Sequence, residues 1–227
     1  MKEECLICKA PIEYLSQDVL MECAICHKKE NSKTRCVNGH HVCDECHTKG
    51  IDQIVSACLN ATEKDPVAIL EKMMSMDFCH MHGPEHHIMV GAALLAAYKN
   101  AGGEIDLEKA LLEMQNRGKA VPGGVCGFWG ACGAGVSTGI YMSIITEATP
   151  LTEGPWKLAN KMTSRSLASI GEHGGPRCCK RDSYLAIMEA AAFTKEHFGV
   201  EMEVGKIVCS RSHLNNQCIK EACPFHS

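Results

Sequence analysis

The sequence predicts a mainly α protein: a helical bundle with a small N-terminal module able to hold two zinc ions. Three observations predict it. Paired Cys and His residues crowd a short front segment, capped helical periods run from residue 51 onward, and only 204–209 reads as a strand. Two domains follow from this: residues 1–50 as the two-site zinc module, and 51–227 as a helical, Cys/His-rich metal or redox domain. A chain of 227 residues can bury one sizeable core plus such an appendage.

In the front segment the ligand types come as Cys5-x2-Cys8, Cys23-x2-Cys26, Cys36-x3-His40 and Cys43-x2-Cys46. Four N or S donors make one tetrahedral structural zinc site, so eight make two. Separate buried thiols are the bland alternative, and the regular spacing disfavours it. Of the three ways to pair the knuckles, a sequential one would wrap Cys36, His40, Cys43 and Cys46 around one ion within eleven residues. The interleaved one, Cys5/Cys8 with Cys36/His40 and Cys23/Cys26 with Cys43/Cys46, relieves this and cross-braces the segment. It is the favoured pairing. The segment resembles a RING-like or zinc-ribbon module, carried by Cys5-Leu6-Ile7-Cys8 and by the run from Cys36-Val37-Asn38-Gly39-His40 to Cys43-Asp44-Glu45-Cys46. A Cys pair precedes Cys36 where the RING order has one later. So small a segment has little core, and metal binding would supply its folding free energy.

Beyond the knuckles, Ile51, Ile54, Val55, Cys58 and Leu59 repeat as one face of a helix, with Cys58 as core. Asp65-Pro66 reads as an N-cap with Pro at the first helical position, pointing Val67, Leu70 and Met74 inward. Asp106 caps another helix, with Leu107, Ala110, Leu111 and Met114 on one face and Gly118 as its stop. Segments 155–170 and 181–198 read as two more helices, the second ended by Gly199.

The densest chemistry lies at Cys79-His80-Met81-His82-Gly83-Pro84-Glu85-His86-His87. Pro84 suits the first position of the apolar helix that follows, with Gly83 near its cap. Cys79, His82 and His86 have a spacing that can close on one metal ion or a substrate. Glu85 is the candidate general base or proton relay. A polar helix start facing water is the alternative.

A second centre is the run 122–139, where six glycines cluster around Cys126 and Cys132. Glycine weakens a helix by about 1 kcal/mol against alanine, so small side chains must serve close packing or backbone contact with a cofactor. Packing accounts for Gly135 and Gly139 but not for the thiols. Farther on, Cys178 and Cys179 open a helix beside Arg177, Lys180 and Arg181, a setting that favours thiolates or an anionic cluster. The tail adds Cys209, Cys218 and Cys223-Pro224. With one of Cys178/Cys179, these three make a four-thiolate set suited to an iron–sulfur cluster or another zinc ion. The order of the Pro84 helix, the glycine turn, Cys132-Gly133-Ala134 and the late Cys178/Cys179 is similar to a family described as redox-active. That family is known by its Cys, Gly-Cys-Ala-x-x-Gly, Cys, Cys pattern. The body also looks like uncharacterised Cys/His-rich domains of anaerobic bacteria and archaea.

A net charge of −4 without a basic stripe does not point to nucleic acid. The start Met1-Lys2-Glu3-Glu4-Cys5 lacks a secretory apolar region, and the apolar stretches 88–98 and 136–145 fall short of a membrane span. The expected address is the cytoplasm, where thiols bind metal or react rather than form structural disulfides. The expectation is a metalloprotein with two zinc ions in front and an iron–sulfur or Cys/His-metal centre behind, acting in redox, sulfur or one-carbon transfer. Its partner would be a redox or other protein, and its substrate is open. The alternative is a non-catalytic zinc-binding adaptor or regulatory protein.

Overall fold

A computed structural model describes residues 5–8 and 10–227 as a bent hairpin with flanking knuckles, set against a bundle of helices. The polar start at residues 1–4 lies outside the described residues. In the hairpin, β1 (Ile12–Glu22) runs antiparallel to β2 (Lys29–Cys36), with Ile12 opposite Cys36 and Glu22 opposite Lys29. A register shift between Tyr14 and Val19 puts extra residues in β1, which bends the ribbon. The chain after β2 then folds back along it: His41 Nδ1 donates to Thr34 O at 2.9 Å, and Cys23 and His41 form an isolated bridge. β1 is mostly exposed and β2 is polar and largely half-buried, neither burying an alternating apolar face, so the sequence does not reveal them.

A one-turn helix, α1 (Asp44–His47), leads to the body. There follow α2 (Gln53–Leu59), α3 (Pro66–Met74), α4 (His86–Asn100), α5 (Leu107–Lys119), α6 (Val125–Phe128), α7 (Gly133–Ile145), α8 (Glu153–His173) and α9 (Cys179–Phe198). The mainly α fold is the one the sequence predicts. Its axis is α4, apolar all round and buried from His86 to Tyr98, with α2, α3, α5, α7 and α9 packed about it. Cys58 lies in this core, its sulfur 3.8 Å from that of Met73.

The caps act as the residue types require. Asp65 accepts from Val67 N at 2.8 Å, Asp106 from Lys109 N at 3.2 Å, and Gly199 closes α9 at φ +67°. Boundaries differ from the sequence reading in several places, α8 running from Glu153 to His173 and α9 starting at Cys179 among them. Pro84 and Glu85 form a tight turn, with His87 N donating to Pro84 O at 2.9 Å, and the helix proper starts at His86. Gly118 does not stop α5; it lies inside it against Ile88, and its missing side chain lets α5 approach α4. Segment 204–209 forms no strand: Cys209 N donates to Phe225 O at 2.7 Å and Glu203 N to Lys64 O at 3.1 Å, so the tail is held by loops.

Candidate functional site

Two donor groups sit on the bent hairpin. Cys5, Cys8, Cys36 and His40 gather with their donor atoms within 4.8 Å of one another, and so do Cys23, Cys26, Cys43 and Cys46. These are the two sets of the interleaved pairing, and each could hold a metal ion. His40 Nδ1 lies 3.2 Å from Cys8 Sγ, while Cys26 and Cys43 sulfurs stand 3.6 Å apart. Backbone N–H groups point at the sulfurs, Ile7 at Cys5 (3.4 Å) and Cys43 at Cys23 (3.4 Å), which stabilises thiolates. The fold-back of the chain over β2 makes the pairing, by bringing Cys43 to the hairpin's far end.

The loop before α4 builds a third group. Cys79, Glu85 and His86 are buried, and their donor atoms also lie within 4.8 Å of one another. The ammonium of Lys180, itself 2 % exposed, sits among them. It donates to His80 O at 2.6 Å and to His86 Nε2 at 2.8 Å, and lies 3.2 Å from Cys79 Sγ. His86 therefore carries its proton on Nδ1, which donates to Gly83 O at 3.0 Å. Burial, then the Lys180 charge, pushes the His86 pKa well below the ordinary imidazole value. Glu85 Oε1 accepts from His80 N at 2.9 Å. Its Oε2 faces His47 Nδ1 of α1 at 3.5 Å, and neither atom has a hydrogen-bond partner among the described residues.

The structure sets His82 apart from this group. Its Nδ1 accepts from Cys179 N at 3.5 Å, and its Nε2 donates to Asn215 Oδ1 at 3.3 Å. Glu85 thus stands where the spacing argument puts His82. Burial lowers the His82 pKa to about 4. Asn215 passes the contact on, donating from Nδ2 to Cys178 Sγ at 3.5 Å.

The start of α9 is the hub. Successive helical residues point about 100° apart, so five consecutive side chains serve different neighbours. Cys178 faces a narrow cavity that it lines together with Cys209, Cys218 and Cys223, beside Met81, Tyr184 and Phe225. Cys179 hydrogen-bonds Arg177, Lys180 reaches Cys79, and Arg181 lines both this cavity and a second one. Asp182 accepts from Cys132 Sγ at 3.7 Å. The second cavity, about 680 Å³, is lined by Cys126, Cys132, Arg177 and Asp182 and by glycines from three segments. That volume is in the range of small-molecule sites. Burial first, then Asp182 and the neighbouring thiols, raises the Cys132 pKa; burial, opposed by Arg177, raises that of Cys179 to about 12. Of the seven late thiols named from the sequence, four line one cavity and two, Cys126 and Cys132, line the other, while Cys179 meets Arg177 of that wall without lining it.

Lys180, Asp182 and His47 escape the sequence reading as members of particular sites. Lys180 is visible there only as one of three cations near a Cys pair; its position one residue after that pair, at a helix start, was the available signal. Tyr14 and Gly171, on the wall of the larger cavity, give no sequence signal at all.

No curated protein and no solved structure matches the chain. The body that carries both cavities and the Lys180 group is what a family model recognises, over residues 54–226, and on that match the chain belongs to DUF5714, a family of unknown function.

Proposed function

We propose that the chain is an iron–sulfur redox or transfer enzyme whose body holds a cluster on Cys178, Cys209, Cys218 and Cys223. In this reading the N-terminal module carries two structural zinc ions, on the sets of Cys5 and Cys23. The observation that carries the proposal is the cavity shared by those four thiols. A single zinc ion, with Zn–S bonds of about 2.3 Å, would draw its sulfurs to about 3.8 Å of one another. Among the described residues these four are not one of the groups whose donors come within 4.8 Å, whereas the front sets are. Their spacing is thus wider than one zinc ion needs.

The donor surroundings fit as well. Arg181 N and Asn215 Nδ2 each lie 3.5 Å from Cys178 Sγ, and Lys220 N lies 3.4 Å from Cys218 Sγ. Such N–H donors tune the potential of cluster sulfurs. Arg211, paired with Glu71 at 2.5 Å, fastens the tail to α3, while Tyr184 and Phe225 line the cavity beside the thiols. A bound cluster would supply one-electron transfer. Cys79, His86 and the His80 carbonyl hold Lys180, and through it they set the first turn of α9 that presents Cys178. We assign them this positioning role.

Protein purified without oxygen tests the proposal. It should be brown and contain iron with acid-labile sulfide, and Cys209→Ser should lower both while leaving zinc in place. A second reading, a zinc-binding adaptor without catalysis, is favoured by the exposed apolar side chains of the front module, Ile7, Leu20, Ile25 and Val37. Colourless protein holding only zinc would select it.

A further inference from the structure

The larger cavity has a wall that the core of the bundle does not hold. This wall is α6 with the turns around it: Gly124, Cys126, Gly127, Phe128 and Gly130 all line the space. α6 is one turn long, and Val125 is its buried residue. Among the described residues, none of Val125, Cys126 and Phe128 joins the hydrophobic core of the bundle. Glycines with positive φ stand on both sides, Gly124 at +79° and Gly130 at +67°. Glycine absorbs backbone rotation at low cost, so the segment has a hinge at each end.

The front module supplies what holds α6 in place. Asp44 Oδ2 of α1 accepts from Gly123 N at 2.9 Å, just before the first hinge. Tyr14 of β1 meets the Phe128 ring edge-on, with centroids 6.1 Å apart, and the Lys33 ammonium of β2 lies 4.8 Å from the centre of the same ring. Both distances are in the attractive range for such pairs. The register shift that bends β1 begins at Tyr14, and an irregularity of this kind re-aims a side chain. Tyr14 is thereby both a clasp on α6 and part of the cavity wall.

α1 is closely seated on the body at both ends. A Cβ on Gly123 would come within 2.9 Å of Asp44 Oδ1, and one on Gly83 would meet His47 Cε1 at 2.5 Å. Yet a four-residue helix with no buried residue does not form by itself. Cys43, its N-cap, and Cys46, inside it, both belong to the second donor set of the module. Metal on that set would wind α1 and so aim Asp44.

We infer that α6 is a lid on the larger cavity, latched by the front module, and that metal occupancy of the Cys23, Cys26, Cys43 and Cys46 set controls it. With the set loaded, Asp44, Tyr14 and Lys33 hold the lid in place. With the set empty, the lid swings on Gly124 and Gly130, and Cys126 opens further to solvent. The inference rests on the zinc reading of the module and is independent of iron in the body.

The test uses the full chain, with zinc content measured beside two readouts. These are hydrogen exchange over 123–130 and the rate of Cys126 alkylation by N-ethylmaleimide, both mapped by mass spectrometry. Asp44→Ala leaves all eight donors in place and should keep wild-type zinc. It should speed exchange at the Gly127, Phe128 and Trp129 amides, which close α6, by about tenfold, the size expected for one lost hydrogen bond to a charged group. Cys43→Ser, which unloads the set, should speed exchange at least as much and raise the alkylation rate of Cys126. Tyr14→Ala should give a smaller rise with zinc intact. Segments 86–100 and 179–198 should exchange as in wild type throughout, and Cys58, buried in the core, should stay unmodified.

Cys43→Ser that has lost its zinc but keeps wild-type exchange and alkylation at α6 overturns the inference. So does Asp44→Ala with full zinc and an unchanged lid. A rise spread equally over 86–100 and 179–198 overturns it too, since the body would then be unfolding rather than a lid opening. Wild type that holds no zinc removes the module reading, and the inference falls with it.

Discussion

The front module and the body use the same residue type in opposite ways. In the module, eight Cys and His donors close into two tight sets around a hairpin with hardly any apolar interior. In the body, six of the seven late thiols line two cavities at the edge of the core, and Cys132, Cys209 and Cys223 pack against that core. The lesson is that close donors replace a core, while spread donors presuppose one. A bundle with its own core can hold thiols from residues 126 to 223 at its edge.

The sharpest way to break this contrast is to remove metal from the module. Cys43→Ser should cost that region on the order of 10 kcal/mol of metal-linked folding energy. Limited proteolysis should then cut within residues 5–47 while the helical circular dichroism of the body persists. A hairpin that stays protease-resistant would mean it has a core of its own.

In the body the largest effect should come from its internal cation. Lys180→Met leaves His80 O, His86 Nε2 and the Cys79 sulfur without their shared buried donor and should lower stability by about 3 kcal/mol or more in urea unfolding. Little change would show that these side chains do not need the ammonium.

Acid comes next. His82 has its pKa lowered to about 4 by burial, from an ordinary 6.5. The unfolded chain therefore takes up the proton first, so this contribution is full above pH 6.5 and is lost as pH falls toward 4. A shift of that size corresponds to roughly 3 kcal/mol. Thermal unfolding of His82→Asn should fall less steeply than wild type across this window. Parallel slopes would remove His82 as the cause. The smallest effect should follow Asp65→Ala, about 1 kcal/mol from the lost cap on α3, read as a small drop in Tm.

Legibility in the sequence followed the range of the interaction. The caps at Asp65 and Asp106 and the αL stop at Gly199 are satisfied within a turn, so residue type alone announces them. Knuckle spacing likewise names the eight front donors. The hairpin that pairs them was hidden, because its strands bury no alternating face. Gly118 misled for a related reason: glycine at a helix end and glycine at a helix crossing look alike until α4 lies against it.

Sequence alone determined that this chain is helical, thiol-rich and divided into a ligand-dense front and a periodic body, because spacing and periodicity are local properties. Tertiary structure alone decided that Lys180 fills the Cys79 group, that His82 turns away to Asn215, and that Cys178 lines a cavity while Cys179 turns to Arg177. Those outcomes depend on the direction in which α9 enters the bundle. A 100° step between neighbouring side chains becomes a choice of site only once the surrounding helices are in place.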